Sequence, residues 1–229
     1  MKTVIITGAN GNLGTAVTKE FLENNYKVLA TVASESAKAD INTHPHLEVH
    51  VVNLTQEEET NSFIKMCIEK HNTIDSALLL VGGFAAGNIS TTTGSDLQKQ
   101  ISLNFETAYF ITRPLFAHMK ENKKGRIVFI GARPVLVASQ GYGLLAYSLS
   151  KSLLFKLAEF LNEEAKGENI IVTVVVPSTL DTALNRKNMP DVNPDIWVKP
   201  SEIAGILEYI VSEKSGAIRE PVIKVYNNA

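Results

Sequence analysis

Cysteine is almost missing from this chain. Cys67 is the only one, so no internal disulfide can form, and a cytoplasmic setting is expected. Charge of one sign is not in excess either. The 22 Lys and Arg stand against 24 Asp and Glu, a net charge of −2, which leaves no basic field for nucleic acid. No apolar run approaches the ~20 residues of a bilayer span, so no membrane partner is expected. Met1–Thr7 enters a strand pattern at once and is too short to read as a secretory signal. His44, His46 and His50 crowd around Pro45, but they enter a strand whose successive side chains point opposite ways, with no acid or cysteine placed to complete a site. No metal is therefore expected. Internal repeats, low-complexity tracts and linkers are also lacking. What remains is a chain of 229 residues, 45% apolar and 20% charged, enough to bury a substantial core as a single domain over 1–229.

Short β-branched runs alternate with longer helical patterns. Strands are expected at 3–7, 27–32, 47–52, 77–81, 126–130, 170–176 and 222–225. Helices are expected at 13–24, 56–70, 97–121, 144–165 and 201–212. The run Ile170-Ile-Val-Thr-Val-Val-Val176 is the continuous apolar pattern of a strand buried on both faces. Right-handed crossovers then give an α/β fold: a doubly wound parallel sheet of about seven strands with helices on both faces. Pro114 is expected to bend the long helix at 97–121, because its missing N–H breaks a backbone bond. The stretch 177–200 is too long for an ordinary connection and is a candidate substrate loop.

The first strand runs into Thr7-Gly8-Ala9-Asn10-Gly11-Asn12-Leu13-Gly14 and then a helix. Glycines at 8, 11 and 14 suit a tight turn, a close backbone approach to pyrophosphate, and close helix–strand packing. The helix start offers N–H groups and positive dipole to the phosphates. An acid ending the second strand would hold the ribose of NAD(H), but Val32 stands there, with Ser34, Glu35 and Lys38 beyond it. Ser34 and Lys38 tolerate a 2′-phosphate, which tips the expected cofactor toward NADP(H). An inward Glu35 would select NAD(H) instead. Asn53-Leu54 ends the third strand, where Asn53 either reaches the adenine edge or caps the segment that follows. Gly82-Gly83 ends the fourth, as floor for a flat nucleotide or as a simple turn.

Tyr147 and Lys151 lie four apart in a helical pattern and share one face. An ammonium about 5 Å from a phenol, at an effective dielectric of ~20, favours phenolate by roughly 3 kcal/mol. Such a pair is a route to a proton donor near neutral pH. Tyr142 has Ala146 four residues on and lacks that partner.

These elements together resemble the short-chain dehydrogenase/reductase family over nearly the whole chain. The shared pieces are Thr7–Gly14, Gly82-Gly83, Asn104, Tyr147 with Lys151, and Pro177 with Thr182. The resemblance implies that Tyr147 donates a proton and that Lys151 holds the nicotinamide ribose and lowers the Tyr147 pKa. It implies too that Asn104 relays protons, and that Pro177, Thr179 and Thr182 seat the carboxamide. It further implies a homodimer or homotetramer built on the helices of Asn104 and Tyr147, with Leu153, Leu154, Leu157 and Leu161 as an apolar seam.

Two features depart from the family pattern. The glycine spacing is G-x-x-G-x-x-G, and the catalytic serine at the end of the fifth strand is replaced by Ile130-Gly-Ala-Arg133. Ser139 is a substitute or a solvated loop residue. One branch, the dihydropteridine reductases, is similar in both respects, in Val81–Phe84, and above all in Pro177–Pro190 followed by Trp197. That branch implies hydride transfer to a quinonoid dihydropterin-like small molecule. The open alternatives are another carbonyl or quinone compound, or a non-catalytic cofactor sensor. A conjugated ring needs less oxyanion help than a ketone, which agrees with the missing hydroxyl. Phe84, Arg133, Met189 and Trp197 are the candidate substrate contacts. The alternative for Arg133 is a solvated side chain and for Trp197 a loop anchor. Asn185-Arg186-Lys187 either closes over the phosphates or forms a wet helical turn.

Overall fold

The computed structural model describes residues 1–228. Seven strands, among the described residues, form one parallel sheet: β1 (Thr3–Thr7), β2 (Lys27–Val32), β3 (Leu47–Val51), β4 (Ser76–Leu79), β5 (Lys124–Ile130), β6 (Asn169–Pro177) and β7 (Val222–Val225). Their order is β3-β2-β1-β4-β5-β6-β7. The order reverses between β1 and β4, which opens a crevice at their carboxyl ends.

Side chains alternate across the sheet, so each strand feeds two cores. Ile5, Ile127 and Val174 face one; Val4, Ile6 and Val175 face the other. The first is closed by α3 (Glu57–His71), α5 (Thr107–Asn122) and α8 (Leu145–Glu164), through Phe63, Ile64, Ile111, Leu115, Met119, Leu154 and Ala158. The second is closed by α1 (Asn12–Glu23) and α10 (Pro200–Val211), through Val17, Phe21, Ile203 and Leu207. Full burial of each large side chain contributes about 1.5–3 kcal/mol.

Five departures from the sequence expectation bear on the site. The helix expected at 97–121 starts earlier, as α4 (Gly94–Ile101), because Thr93 and Asp96 form a reciprocal capping box. Its regular hydrogen bonding is interrupted at a π-turn, Ser102–Glu106, while α5 runs on through Pro114. Between β5 and α8 lie two short helices, α6 (Arg133–Leu136) and α7 (Ala138–Gly141). The long stretch after β6 carries α9 (Ala183–Asn188) and a 3-10 turn at Pro194–Ile196. A further short helix, α2 (Glu35–Ala39), follows β2, capped by Ser34.

The expected leucine seam is corrected too. Leu154 is buried in the core, and Leu157 and Leu161 pack against it, which leaves Leu153 outside with Leu149, Phe160 and Tyr109. No described helix is long and apolar enough to cross a membrane.

Candidate active site

The glycine loop closes on itself at the head of β1. Gly8 has a φ of +65°, and Gly11 N–H donates to its carbonyl at 3.0 Å. A Cβ on Gly14 would lie 2.0 Å from the Gly8 oxygen, so the loop and α1 meet backbone to backbone. The α1 N-terminus has Gly11 as its cap, no side-chain cap bond and no acid in its first turn. Its N–H groups are thus left for an anion, and Asn10, Gly11 and Asn12 are exposed around them. Leu13 and Gly14 are buried behind the loop. Thr7 Oγ1 accepts from Leu80 N–H at 2.8 Å and Val81 N–H at 3.3 Å, which ties the loop to the end of β4.

Beside the loop lies a slot of about 150 Å³ lined by Gly8, Thr31, Val32, Asn53, Leu54 and Leu103, among others. Asn53 Oδ1 accepts from Thr55 N–H and Oγ1, so its oxygen is used in a turn ahead of α3. Val32 is buried, Glu35 is exposed on α2, and Ser34 pairs with Ser36 at 2.9 Å. A larger hollow of about 600 Å³ between α1 and residues 40–47 touches the loop only at Ala9 and Asn10 and contains none of Asn104, Tyr147 or Lys151.

The π-turn places Asn104 inside, at 0% exposure. Its Oδ1 accepts from Gly83 N–H at 2.8 Å, and its Nδ2 faces Gly83 O at 3.0 Å, Gln100 Oε1 at 2.9 Å and Ser150 Oγ at 3.0 Å. Neither Gln100 nor Ser150 stands out in the sequence. The signal was present, since Gln100 lies one helical turn before Asn104 and Ser150 directly precedes Lys151. Gly82 fills the gap between the two helices: a Cβ there would lie 2.7 Å from Asn104 Oδ1 and 2.9 Å from Lys151 Nζ. Asn104, Lys151 and the Gly82-Gly83 backbone therefore converge at one place.

Lys151 is buried, and its Nζ donates to the Ile130 carbonyl at 2.9 Å. Burial holds its pKa down, to about 8. Burial also pushes the Tyr147 phenol up, to about 12. The expected lowering of Tyr147 by Lys151 is thus not seen. Desolvation disfavours both charged forms, and the ammonium is engaged by a backbone carbonyl. The Phe84 ring stands 5.3 Å from the Tyr147 ring and is 67% exposed, at the open side of the pair.

At the end of β5, Ala132 is buried, and a Cβ on Gly131 would lie 2.7 Å from Val174 Cγ1 and 2.9 Å from Phe155 Cζ. Packing therefore leaves no room for a serine at 131. Ser139 is exposed on α7. Arg133 does not extend into solvent: its guanidinium lies 4.8 Å over the Tyr226 ring, with Nε buried and unpartnered among the described residues.

Pro177 ends β6 and is buried. The Thr179 carbonyl accepts from Val198 N–H, and Thr182 caps α9 by accepting from Asn185 N–H at 3.1 Å. Met189 ends α9, half-buried. Trp197 needs correcting as a substrate contact. It is 3% exposed and anchors the returning chain, its carbonyl accepting from Asn227 Nδ2 at 3.0 Å. Arg186 makes a two-bond pair with Asp181, at 2.6 and 2.8 Å, and so folds back on its own turn. Among the described residues no three His, Cys, Asp or Glu side chains converge as metal ligands.

The short chain dehydrogenase family model matches residues 2–193. Among curated proteins, the chain is 28% identical to dihydropteridine reductase of Dictyostelium discoideum, over 89% of this chain and 84% of that protein. It is 25% identical to acetoacetyl-CoA reductase of Acinetobacter sp., over 98% and 96%. It is 26% identical to mouse 3-ketodihydrosphingosine reductase, over 96% of this chain and 67% of that longer one. Among solved structures, that of ElxO with NADP bound superposes with a TM-score of 0.90 at 22% identity, covering 98% of this chain and 96% of that one.

Proposed function

The chain belongs to the short-chain dehydrogenase family of oxidoreductases, and within it we propose an NADPH-preferring reductase whose acceptor is a flat, conjugated, electron-poor ring of the quinonoid dihydropterin class. The observation that carries this reading is the end of β5. Ala132 is buried without a hydroxyl, and Gly131 is walled by Val174 and Phe155. A ketone concentrates negative charge on one oxygen as it is reduced and gains most from a fixed hydroxyl donor. A conjugated ring spreads that charge and gains least. The exposed Phe84 ring beside Tyr147 supplies an apolar face for such a ring. The likeness to a dihydropteridine reductase supports the same acceptor class.

Bound nicotinamide supplies the hydride. The residues present fit that cofactor: a closed glycine loop at an uncapped helix start, a narrow base slot, and an ammonium at the crevice floor. Gly8, Gly11 and Gly14 let the backbone approach the pyrophosphate; Thr31, Val32, Asn53 and Leu54 border the base. With no acid at Val32, Ser34, Ser36 and Lys38 on and before α2 would receive a 2′-phosphate. Pro177, Thr179 and Thr182 would seat the carboxamide. Lys151 would hold the ribose. Tyr147 gives its phenolic proton to a ring nitrogen or oxygen of the acceptor, and solvent returns that proton afterwards. Asn104 holds the Gly82-Gly83 backbone against Lys151. The exposed Leu149, Leu153 and Phe160 on α8, with Tyr109 on α5, are the face on which two copies would pair.

The test is NADPH and NADH oxidation across quinonoid dihydropterins, quinones and simple ketones. Turnover of the quinonoid pterin above that of ketones by orders of magnitude is expected. Equal rates would refute the acceptor class, and no turnover in the whole panel would point to a cofactor-sensing role.

A further inference from the structure

We propose that Ser150 is a positioning residue: its hydroxyl, anchored on the Tyr147 carbonyl, pins the Asn104 amide in the orientation that the Gly83 backbone requires. This role rests on the reading of Asn104 and Lys151 as part of the active site, and it follows from the polarity of a hydrogen-bond chain.

Ser150 is completely buried, on the inner side of α8. Its Oγ donates to Tyr147 O at 2.8 Å. A hydroxyl has one proton, so toward Asn104, 3.0 Å away, it presents only lone pairs. The partner atom must therefore be the Asn104 Nδ2 donor. At the other end, Gly83 N–H is a fixed donor, 2.8 Å from the amide, and requires Oδ1 there. Turning the amide over would set oxygen against the Ser150 lone pairs and NH2 against an N–H. Those contacts would become repulsive, as would that of Nδ2 with the Gly83 carbonyl at 3.0 Å, inside a fully buried site.

Gln100 Oε1 adds a second acceptor for Nδ2 at 2.9 Å. Gln100 can turn its own amide, however, so it reinforces the orientation without defining it. Ser150 could reverse its role only by turning its hydroxyl away from the Tyr147 carbonyl, at the cost of that bond. The consequence reaches Lys151 through Gly82. Its Cβ position is within 2.9 Å of both Asn104 Oδ1 and Lys151 Nζ, so the amide presents its negative end to the ammonium side. The hydroxyl that the family places at β5 is absent here. The buried hydroxyl at 150 acts one step removed, on the group that faces Lys151.

The experiment compares Ser150→Thr with Ser150→Val, which match in volume and branching and differ in the hydroxyl. Ser150→Thr should keep kcat within about 2-fold of the unaltered enzyme. Ser150→Val should lose about 10-fold in kcat, the size of one deleted buried hydrogen bond, with KM for NADPH little changed. Equal kcat in the two variants would overturn the proposal. If the extra methyl prevents folding, Ser150→Ala replaces the pair. A second readout needs no turnover: the side-chain amide protons of Asn104, followed by nitrogen-15 NMR, should exchange with solvent about 10-fold faster in Ser150→Ala than in the unaltered protein. Unchanged exchange would overturn the proposal even where activity falls. An enzyme inactive on every acceptor would refute the acceptor reading while leaving the amide measurement decisive.

Discussion

The ammonium of Lys151 donates to the carbonyl of Ile130, at 2.9 Å, and not to the phenol of Tyr147 one helical turn before it. Lys151 thus bridges α8 to the end of β5, where the usual serine is missing. Burial holds Lys151 down to about 8 and Tyr147 up to about 12.

The pH dependence follows from those two directions. Lys151 is protonated below about 8 and neutral above it, whereas Tyr147 keeps its proton throughout that range. A plot of log kcat/KM should be level near neutrality and fall with rising pH from about 8, reporting Lys151 in the free enzyme. A level profile to pH 10 would contradict this assignment.

Lys151 should also cost stability. Its folded pKa lies below its unfolded value of 10.5, so the folded state holds the proton less tightly. The penalty is fully present below about 8 and relieved as pH rises toward 10.5. Lys151→Met should abolish turnover and yet raise stability at pH 7 by on the order of 2 kcal/mol, read as a higher Tm. A lower Tm would mean that the bond to Ile130 outweighs desolvation.

Gly82→Ala should separate folding from activity. The added methyl meets Asn104 Oδ1 at 2.7 Å and Lys151 Nζ at 2.9 Å. Lys151 Nζ ends a flexible chain and can yield, so Tm should fall only slightly. Displacing both groups should lower kcat by about 100-fold.

Gly14→Ala should do the opposite. Its methyl would sit 2.0 Å from the Gly8 carbonyl and 2.9 Å from Ala9 Cα, and backbone cannot step aside. Stability should fall by about 3 kcal/mol or more, and NADPH affinity with it, measured by denaturant unfolding and by Kd.

Lys38→Ala should weaken NADPH binding about 5-fold and leave NADH unchanged, the worth of one exposed charge near a phosphate. Equal loss for both cofactors would place Lys38 away from the 2′-position.

Much was legible in the chain itself. Alternating β-branched runs and helical periods state the layering, because a strand buried on both faces must be apolar throughout, as Ile170–Val176 is. Gly8 and Gly14 state the tight loop at the head of β1, because Gly8 takes a φ of +65° and a Cβ on Gly14 would lie 2.0 Å from the Gly8 oxygen. Tyr147 and Lys151 state their shared face through helical spacing. Other features depend on contacts between distant segments, which no local pattern records. The π-turn that sinks Asn104 is packed against α4, α5 and α8 and tied to Gly83 by the Asn104 side chain, contacts that no local pattern around Pro114 records. The burial of Trp197 follows from the return of residues 177–200 onto the core. The electrostatics of Tyr147 and Lys151 were likewise decided in three dimensions: spacing makes them neighbours, but desolvation and the Ile130 carbonyl, 21 residues away, set which one yields its charge.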